Sequence, residues 1–395
     1  MGTQPKRVAA IITHYNRHSH ADLIVGKILE GYGHDRKAFP DLRLVSMYVD
    51  QFPKDDTSRA LAKQHNFTIY DTVEGAVTCG RKEVAIDGVL IIGEHGVYPT
   101  NARGQIMYPR RRFFEAVTNV FAKHRRVVPV FSDKHLSVAW VDARWMYDRA
   151  RELMLPLMAG SSVPVTWRRP ALRLPRNCEL TEAVVVGYGP FEGYGFHALE
   201  GLQCMAERRR GGETGVRAVT CLQGEEMWRA MDRGVFSREL LEAGMEHVLK
   251  HAPGDFRKWT LKSNESGVFV IEYRDGFKAV VAMLNGWVYE GEGGAFIFAG
   301  RLRGENRPAS CQFYLQQPDP FGHFEYLLKA IDAMIQSNHA VYPVERTLLT
   351  TGILEAVMIS KAEKNRRVET PHLEIRYQPT EWGFACDPPR SLIKR

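Results

Sequence analysis

Over residues 7–160 short apolar runs alternate with helical periods, and few architectures accept that alternation. Runs at 8–13, 42–49, 67–70, 88–93, 127–131 and 155–159 have strand length, and apolar residues recur at helical spacing near 20–30, 56–66, 108–125 and 138–153. Val89-Leu90-Ile91-Ile92 has no polar alternate, so such a strand must be covered on both faces. Parallel strands need long crossovers, and the helical segments supply them. The chain is expected to open with an α/β, doubly wound parallel sheet.

From about residue 161 the pattern changes. Arg274-Asp275-Gly276-Phe277 separates β-rich runs at 268–273 and 278–284, the short-turn signal of an antiparallel hairpin. Runs at 183–186, 216–222, 256–261, 295–299 and 310–315 extend that sheet, and late helices at 321–336 and 344–364 cover one face of it or pack back on the first domain. The expected organisation is a Rossmann-like domain over 1–160 and, over 161–395, an α+β domain built on an open antiparallel sheet. The open face would support homo-oligomerisation.

Composition narrows the partners. With 44% hydrophobic and 25% charged residues in 395, the chain can bury two cores, and no apolar run is long enough to span a bilayer. The first residues lead straight into a strand rather than a signal peptide, and six cysteines without paired spacing speak against a disulfide framework, so a reducing cytoplasm is expected. Arg110-Arg111-Arg112, Lys123-His124-Arg125-Arg126 and Arg208-Arg209-Arg210 contribute to the net charge of +7, but they lie on separate helices beside acidic residues. They read as solvated helix faces, not a nucleic-acid footprint. A small sugar-like or anionic ligand is the expected partner.

The turn after the first strand decides the chemistry. Val8-Ala9-Ala10-Ile11-Ile12 opens into Thr13-His14-Tyr15-Asn16-Arg17-His18-Ser19-His20. A dinucleotide needs glycines in such a turn so that backbone N–H groups reach the pyrophosphate, whereas a metal needs imidazoles. In a doubly wound sheet the carboxyl ends of the first, fourth and fifth strands open into one crevice. The loops expected there carry His14, His18 and His20, then Gly93-Glu94-His95-Gly96, then Asp133-Lys134-His135. His18, His20, Glu94, His95 and His135 together would suit a divalent cation such as Zn²⁺, Mn²⁺ or Fe²⁺. The same residues also read as helix caps and satisfied loop groups. Asn101, Gln105, Tyr108 and Arg110, in the following polar loop, are candidates for sugar hydroxyl or carboxylate contacts, or for an ordinary structural loop.

The order of elements and several motifs resemble the glucose-fructose oxidoreductase and inositol dehydrogenase family, Gfo/Idh/MocA. Asp133-Lys134-His135 takes the place of the family's Glu-Lys-Pro, and Gly193-Tyr194-Gly195-Phe196-His197-Ala198-Leu199-Glu200 that of its Asp-x-Gly-x-His pattern. The resemblance implies an NAD- or NADP-dependent oxidoreductase acting on a sugar, cyclitol or related hydroxy compound. His197 would take the hydroxyl proton and Lys134 would steady the alkoxide, facing one cleft. Gly193 stands where the family has its aspartate, so Glu192, beside it, and Glu200, one turn on, are further catalytic candidates. The cofactor would lie along Thr13, His14, Tyr15 and Asn16, near Glu94 and His95, with Asp50 on a ribose hydroxyl. This chain departs from the family at all three positions of Gly-x-Gly-x-x-Gly, where it has Thr13, Tyr15 and His18. That departure motivates the alternative of a metal-dependent lyase, isomerase or hydrolase with the cation in the pyrophosphate's place. A non-catalytic sugar sensor is a third reading, opposed by the number of ionisable groups in the crevice.

Overall fold

The computed structural model describes residues 4–33, 35–288, 293–317 and 319–386. The chain divides into two units, Met1–Ser161 with Pro320–Val344 and Ser162–Asp319 with Glu345–Arg395.

The first unit begins β1 (Lys6–Ile12), α1 (His20–Glu30), β2 (Leu42–Val49), α2 (Ser58–His65), β3 (Thr68–Tyr70) and α3 (Val73–Thr78). It continues β4 (Gly88–Ile92), α4 (Arg110–His124), β5 (Val130–Asp133), α5 (Trp140–Glu152) and β6 (Leu157–Gly160). Its six strands pair in parallel in the order β3-β2-β1-β4-β5-β6, the expected doubly wound sheet. β1 and β4 sit at its centre with Val8–Ile12 and Val89–Ile92 buried, which explains their unbroken apolar sequence. β5 and β6 start two or three residues later than their apolar runs suggest. Pro129 and Pro156 lack an N–H, so each stands just before its strand and contributes only a carbonyl, accepting from Val89 and Val130 respectively. α3 is too short to show a helical period in the sequence; Thr72 caps it by accepting from the Gly75 N–H at 3.0 Å.

The second unit holds β7 (Trp167–Arg169), β8 (Leu180–Gly187), α6 (Gly193–Ala206), β9 (Val216–Gln223), α7 (Glu225–Asp232), α8 (Arg238–Met245) and α9 (Phe256–Thr260). β10 (Gly267–Tyr273), β11 (Lys278–Met283), β12 (Gly293–Leu302) and β13 (Ala309–Leu315) follow. α10 (Gly322–Ser337) belongs to the first unit, and α11 (Glu345–Ala362) and β14 (Val368–Glu369) to the second. Eight strands run in the order β14-β9-β10-β11-β8-β12-β13-β7. β10 and β11 form the expected hairpin, and Gly276 in its turn has φ of 87°, a conformation that a Cβ would strain.

One expectation for this sheet needs correction. Residues 256–261 are not a strand, because Asp255 caps α9 by accepting from the Arg257 N–H at 2.9 Å and the Thr260 hydroxyl bonds back to the Phe256 carbonyl. The sheet is mostly antiparallel, as expected, with one parallel pair, β11 against β8. Val184, Val185 and Val186 of β8 alternate between the two faces and all are buried, because α6 packs on one side of this strand and α8 on the other. Ala198 of α6 lies against Gly187, while Gly244 of α8 faces Val186 and Ile297.

The basic clusters are also not simply solvated. Arg110 and Arg209 are 1% and 3% exposed, the second between Glu213 and Asp275, and Arg112 pairs with Asp50. No described helix is long and apolar enough to cross a membrane.

Candidate active site at the carboxyl ends of β1, β4 and β5

The strand order brings the three polar loops together. The Thr13 hydroxyl donates to the Glu94 carbonyl, tying the β1–α1 turn to the loop after β4. The His95 ring lies 6.0 Å from that of His14 and 5.8 Å from that of His20. His20 Nδ1 is 2.7 Å from Asp133 Oδ2, and the ring stands edge-on to Phe324 of α10 at 5.0 Å. Asp133 ends β5 and is buried. Beside this pair runs a chain of charges: Lys134 Nζ is 3.7 Å from Glu94 Oε1, Arg110 Nη2 donates to Glu94 Oε2 at 2.8 Å, and Arg110 Nη1 is 2.9 Å from His135 Nε2.

Burial disfavours charge on both Glu94 and His95, with opposite outcomes. On Glu94 it is overcome by Lys134 and Arg110, which hold the carboxyl far below the usual carboxylate range. On His95 burial prevails over the attraction of Glu94, and with His20 and Lys134 nearby opposing its protonation the imidazole is pushed down to about 4. His95 is neutral at pH 7, and its Nε2 is buried without a hydrogen-bond partner among the described residues, as are both ring nitrogens of His14.

One residue from each loop has a left-handed backbone although none is glycine: His18 (φ 64°), His95 (φ 68°) and Lys134 (φ 69°). Such a conformation costs about 1–2 kcal/mol per residue, and its recurrence around one crevice is typical of functional sites.

The residues expected to hold a dinucleotide are engaged otherwise. Asp50 accepts from Tyr48 at 2.7 Å, Tyr98 at 2.8 Å and Arg112 at 2.7 Å. Burial raises its pKa, but the hydrogen bonds from Arg112 and the two tyrosines outweigh that and hold it below the usual range. Tyr15 is buried, and its N–H goes to Asp56 Oδ2 at 3.2 Å; the His18 N–H goes to Asp22 Oδ2 at 2.8 Å, and the Asn16 side chain to Asp55 Oδ2 at 2.7 Å. A diphosphate would meet carboxylates where it needs donors. The turn does not fit a dinucleotide in the pose that glycines would allow.

The residues of the candidate metal set are also engaged with other partners. Glu94 is held by two cations, His20 Nδ1 by Asp133 and His135 by Arg110, while His18 turns to Phe321 at 5.2 Å. Among the described residues no group of three or more His, Cys, Asp or Glu side chains is arranged to hold a metal ion. Asn101 and Gln105 bond each other and their own loop.

In the second unit, His197 projects from α6 into an aromatic patch with Tyr194, Phe196 and Phe296, at 5.8–6.1 Å between rings. Glu200 is buried and accepts from Thr350 at 2.8 Å and Thr347 at 3.3 Å, which makes it a tie between α6 and α11. Glu192 stands at the N-cap of α6, and a Cβ on Gly193 would meet nothing within 4 Å.

The sequence named two residues without the part the structure gives them. Asp133 was legible only as the residue before Lys134, because the imidazole it orients lies 113 residues away. Arg110 read as a ligand contact, yet it is buried under Glu94 and His135.

No protein-family model matches this sequence, and no curated protein matches it. Solved structures do match in fold. A putative myo-inositol dehydrogenase from Sinorhizobium meliloti is 14% identical, with a TM-score of 0.56 over 92% of this chain and 99% of that one. Scyllo-inositol dehydrogenase from Lactobacillus casei, with bound NAD(H) and scyllo-inositol, is 12% identical, with a TM-score of 0.57 over 92% and 98%. The WlbA dehydrogenase from Bordetella pertussis, in complex with NADH and UDP-GlcNAcA, is 13% identical, with a TM-score of 0.53 over 94% and 99%. The chain shares its fold with these solved dehydrogenase structures, the fold expected from the order of its elements.

Proposed function

We propose that this chain is an enzyme that moves protons on a small sugar- or cyclitol-like hydroxy compound at the carboxyl ends of β1, β4 and β5. The observation that carries the reading is the His20–Asp133 pair, 2.7 Å apart with the carboxylate buried. A carboxylate on Nδ1 places the imidazole proton there and leaves Nε2 as the base, and it stabilises the imidazolium once the proton has moved. Lys134, beside Glu94, supplies positive charge for the oxygen on which negative charge develops. His197 is a second acid–base candidate, supported by its match to the family motif.

The fold neighbours support oxidation of a carbinol to a carbonyl as the reaction class, with NAD as the nicotinamide that their structures hold. NADP is the finer alternative. When bound, a nicotinamide would accept the hydride; the turn geometry allows no step to be drawn through it here. The carboxylates on that turn favour a second reading, in which the same proton transfers run without a dinucleotide as an isomerisation or elimination. Six free thiols suit a reducing compartment such as the cytoplasm.

The test is a panel of cyclitols, sugars and sugar acids, each with and without NAD⁺ or NADP⁺, followed at 340 nm and by NMR in deuterated water. Alanine at His20, Lys134 or His197 should leave the fold intact and lower turnover of the accepted substrate by about 10²-fold or more. Full activity in the His20 and Lys134 variants would remove this site from the mechanism.

A further inference from the structure

In a sheet of this strand order a dinucleotide lies across the carboxyl ends, from the acidic residue after β2, over the β1–α1 turn, to β4 and β5. Here protein crosses the same path. The loop after β4 reaches over the end of β1 to the end of β2, where Gln51 clamps Val97 twice: Gln51 Nε2 donates to the Val97 carbonyl at 2.9 Å, and the Val97 N–H donates to Gln51 Oε1 at 3.0 Å. The next residue, Tyr98, donates to Asp50 at 2.8 Å. The loop passes so close that a Cβ on Gly96, whose φ is 97°, would lie 2.9 Å from Tyr98, 3.0 Å from Gln51 Oε1 and 3.4 Å from His14 Nδ1. Only glycine fits that crossing.

From the other side, the segment after β2 laces onto the turn. The Thr57 N–H donates to the Tyr15 carbonyl at 2.9 Å, Asp56 accepts from the Tyr15 N–H, and Asp55 accepts from Asn16. With Asp22 on the His18 N–H, three carboxylates surround the turn at which a diphosphate would have to settle.

We infer that this chain closes its own dinucleotide groove with the Gly96–Tyr98 loop and the Asp55–Thr57 segment, and that its site works without a nicotinamide nucleotide. This rests on the proposed acid–base site and selects the second of its two readings. The reaction is then a redox-neutral isomerisation of a 2-hydroxy carbonyl compound: a proton leaves the carbinol carbon for His20 Nε2, the C–H electron pair forms an enediolate whose charge Lys134 faces, the hydroxyl proton passes to the old carbonyl oxygen, and His20 returns its proton to the old carbonyl carbon while the first carbon becomes the carbonyl. Nothing is oxidised or reduced overall, and no co-reactant is required.

The full chain, shown folded by circular dichroism, is titrated with NAD⁺, NADH, NADP⁺ and NADPH by calorimetry. The expected result is no saturable binding of any of the four up to about 1 mM, a weak limit for a cofactor. A variant combining Gln51→Ala, Asp55→Asn and Asp56→Asn removes the clamp and two charges, and it should gain measurable binding at least tenfold tighter than the wild-type limit. Saturable one-to-one binding by the wild type overturns the inference. Failure of the opened, folded variant to gain any affinity overturns the assignment of closure to these contacts. Neither readout involves substrate, so the inference and the acid–base reading fail separately: loss of the first leaves the His20 and Lys134 variants to decide the second.

Discussion

His95 carries a charge balance that pH can read. Its imidazole is pushed from an ordinary value near 6.5 to about 4 in the folded chain. Between those values the unfolded chain binds more protons than the folded one, so stability rises with pH across the window and is lost as pH falls from about 6.5 towards 4. That single group should make the chain about 2 kcal/mol less stable at pH 5 than at pH 7.5. Urea denaturation at both values checks it. The His95→Gln variant, which cannot titrate, should show a smaller loss; an equal loss would place the titration elsewhere. Glu94 adds to the decline only below the ordinary glutamate range, because Lys134 and Arg110 keep it ionised. His95 and Glu94 were legible as candidates from their place at a strand's carboxyl end, but the sequence was silent on which would be charged. Burial and the two cations decide that, and all of these are consequences of packing.

Among the elements, α10 shows how a helix distant in sequence completes the first unit. Its Phe324 edges the His20 ring, and the carbonyl of Pro320, just before it, accepts from Lys27 of α1 at 2.6 Å. Its Ile335 packs so closely on β4 that a Cβ on Gly88 would stand 2.7 Å from the Ile335 side chain. Gly88→Ala should therefore cost about 1–3 kcal/mol by overpacking, and Ile335→Val in the same chain should recover part of it. Thermal and urea unfolding of the single and double variants measure the coupling. Additive effects would mean that the two elements do not meet as described. α9 teaches a different lesson. Its five residues have the β-rich look of a strand, and only Asp255 at the cap with Thr260 bonding back turns them into a helix.

At the scale of the molecule, the second unit is held by ion pairs between residues far apart in the chain. Arg346 at the start of α11 donates to both oxygens of Glu207 after α6, at 2.9 and 2.6 Å, and Tyr377 donates to the same carboxylate at 2.8 Å. Both partners of that ion pair are buried. Glu207→Ala leaves the guanidinium without its counter-charge and should cost about 3–5 kcal/mol in chemical denaturation. A loss under about 1 kcal/mol would show that water reaches Arg346 easily. The sequence by itself determined the parallel sheet, its central strands, the β10–β11 hairpin and the late helices, because apolar periodicity and turn residues act over a few neighbours. Tertiary structure alone decided the parallel pairing of β8 with β11, the covering of β8 from both sides, the joining of His20 to Asp133, and the strap that carries Gly96 across β1. Each of these depends on which distant segments pack together, and the free energy of that packing belongs to the whole fold rather than to any short stretch of residues.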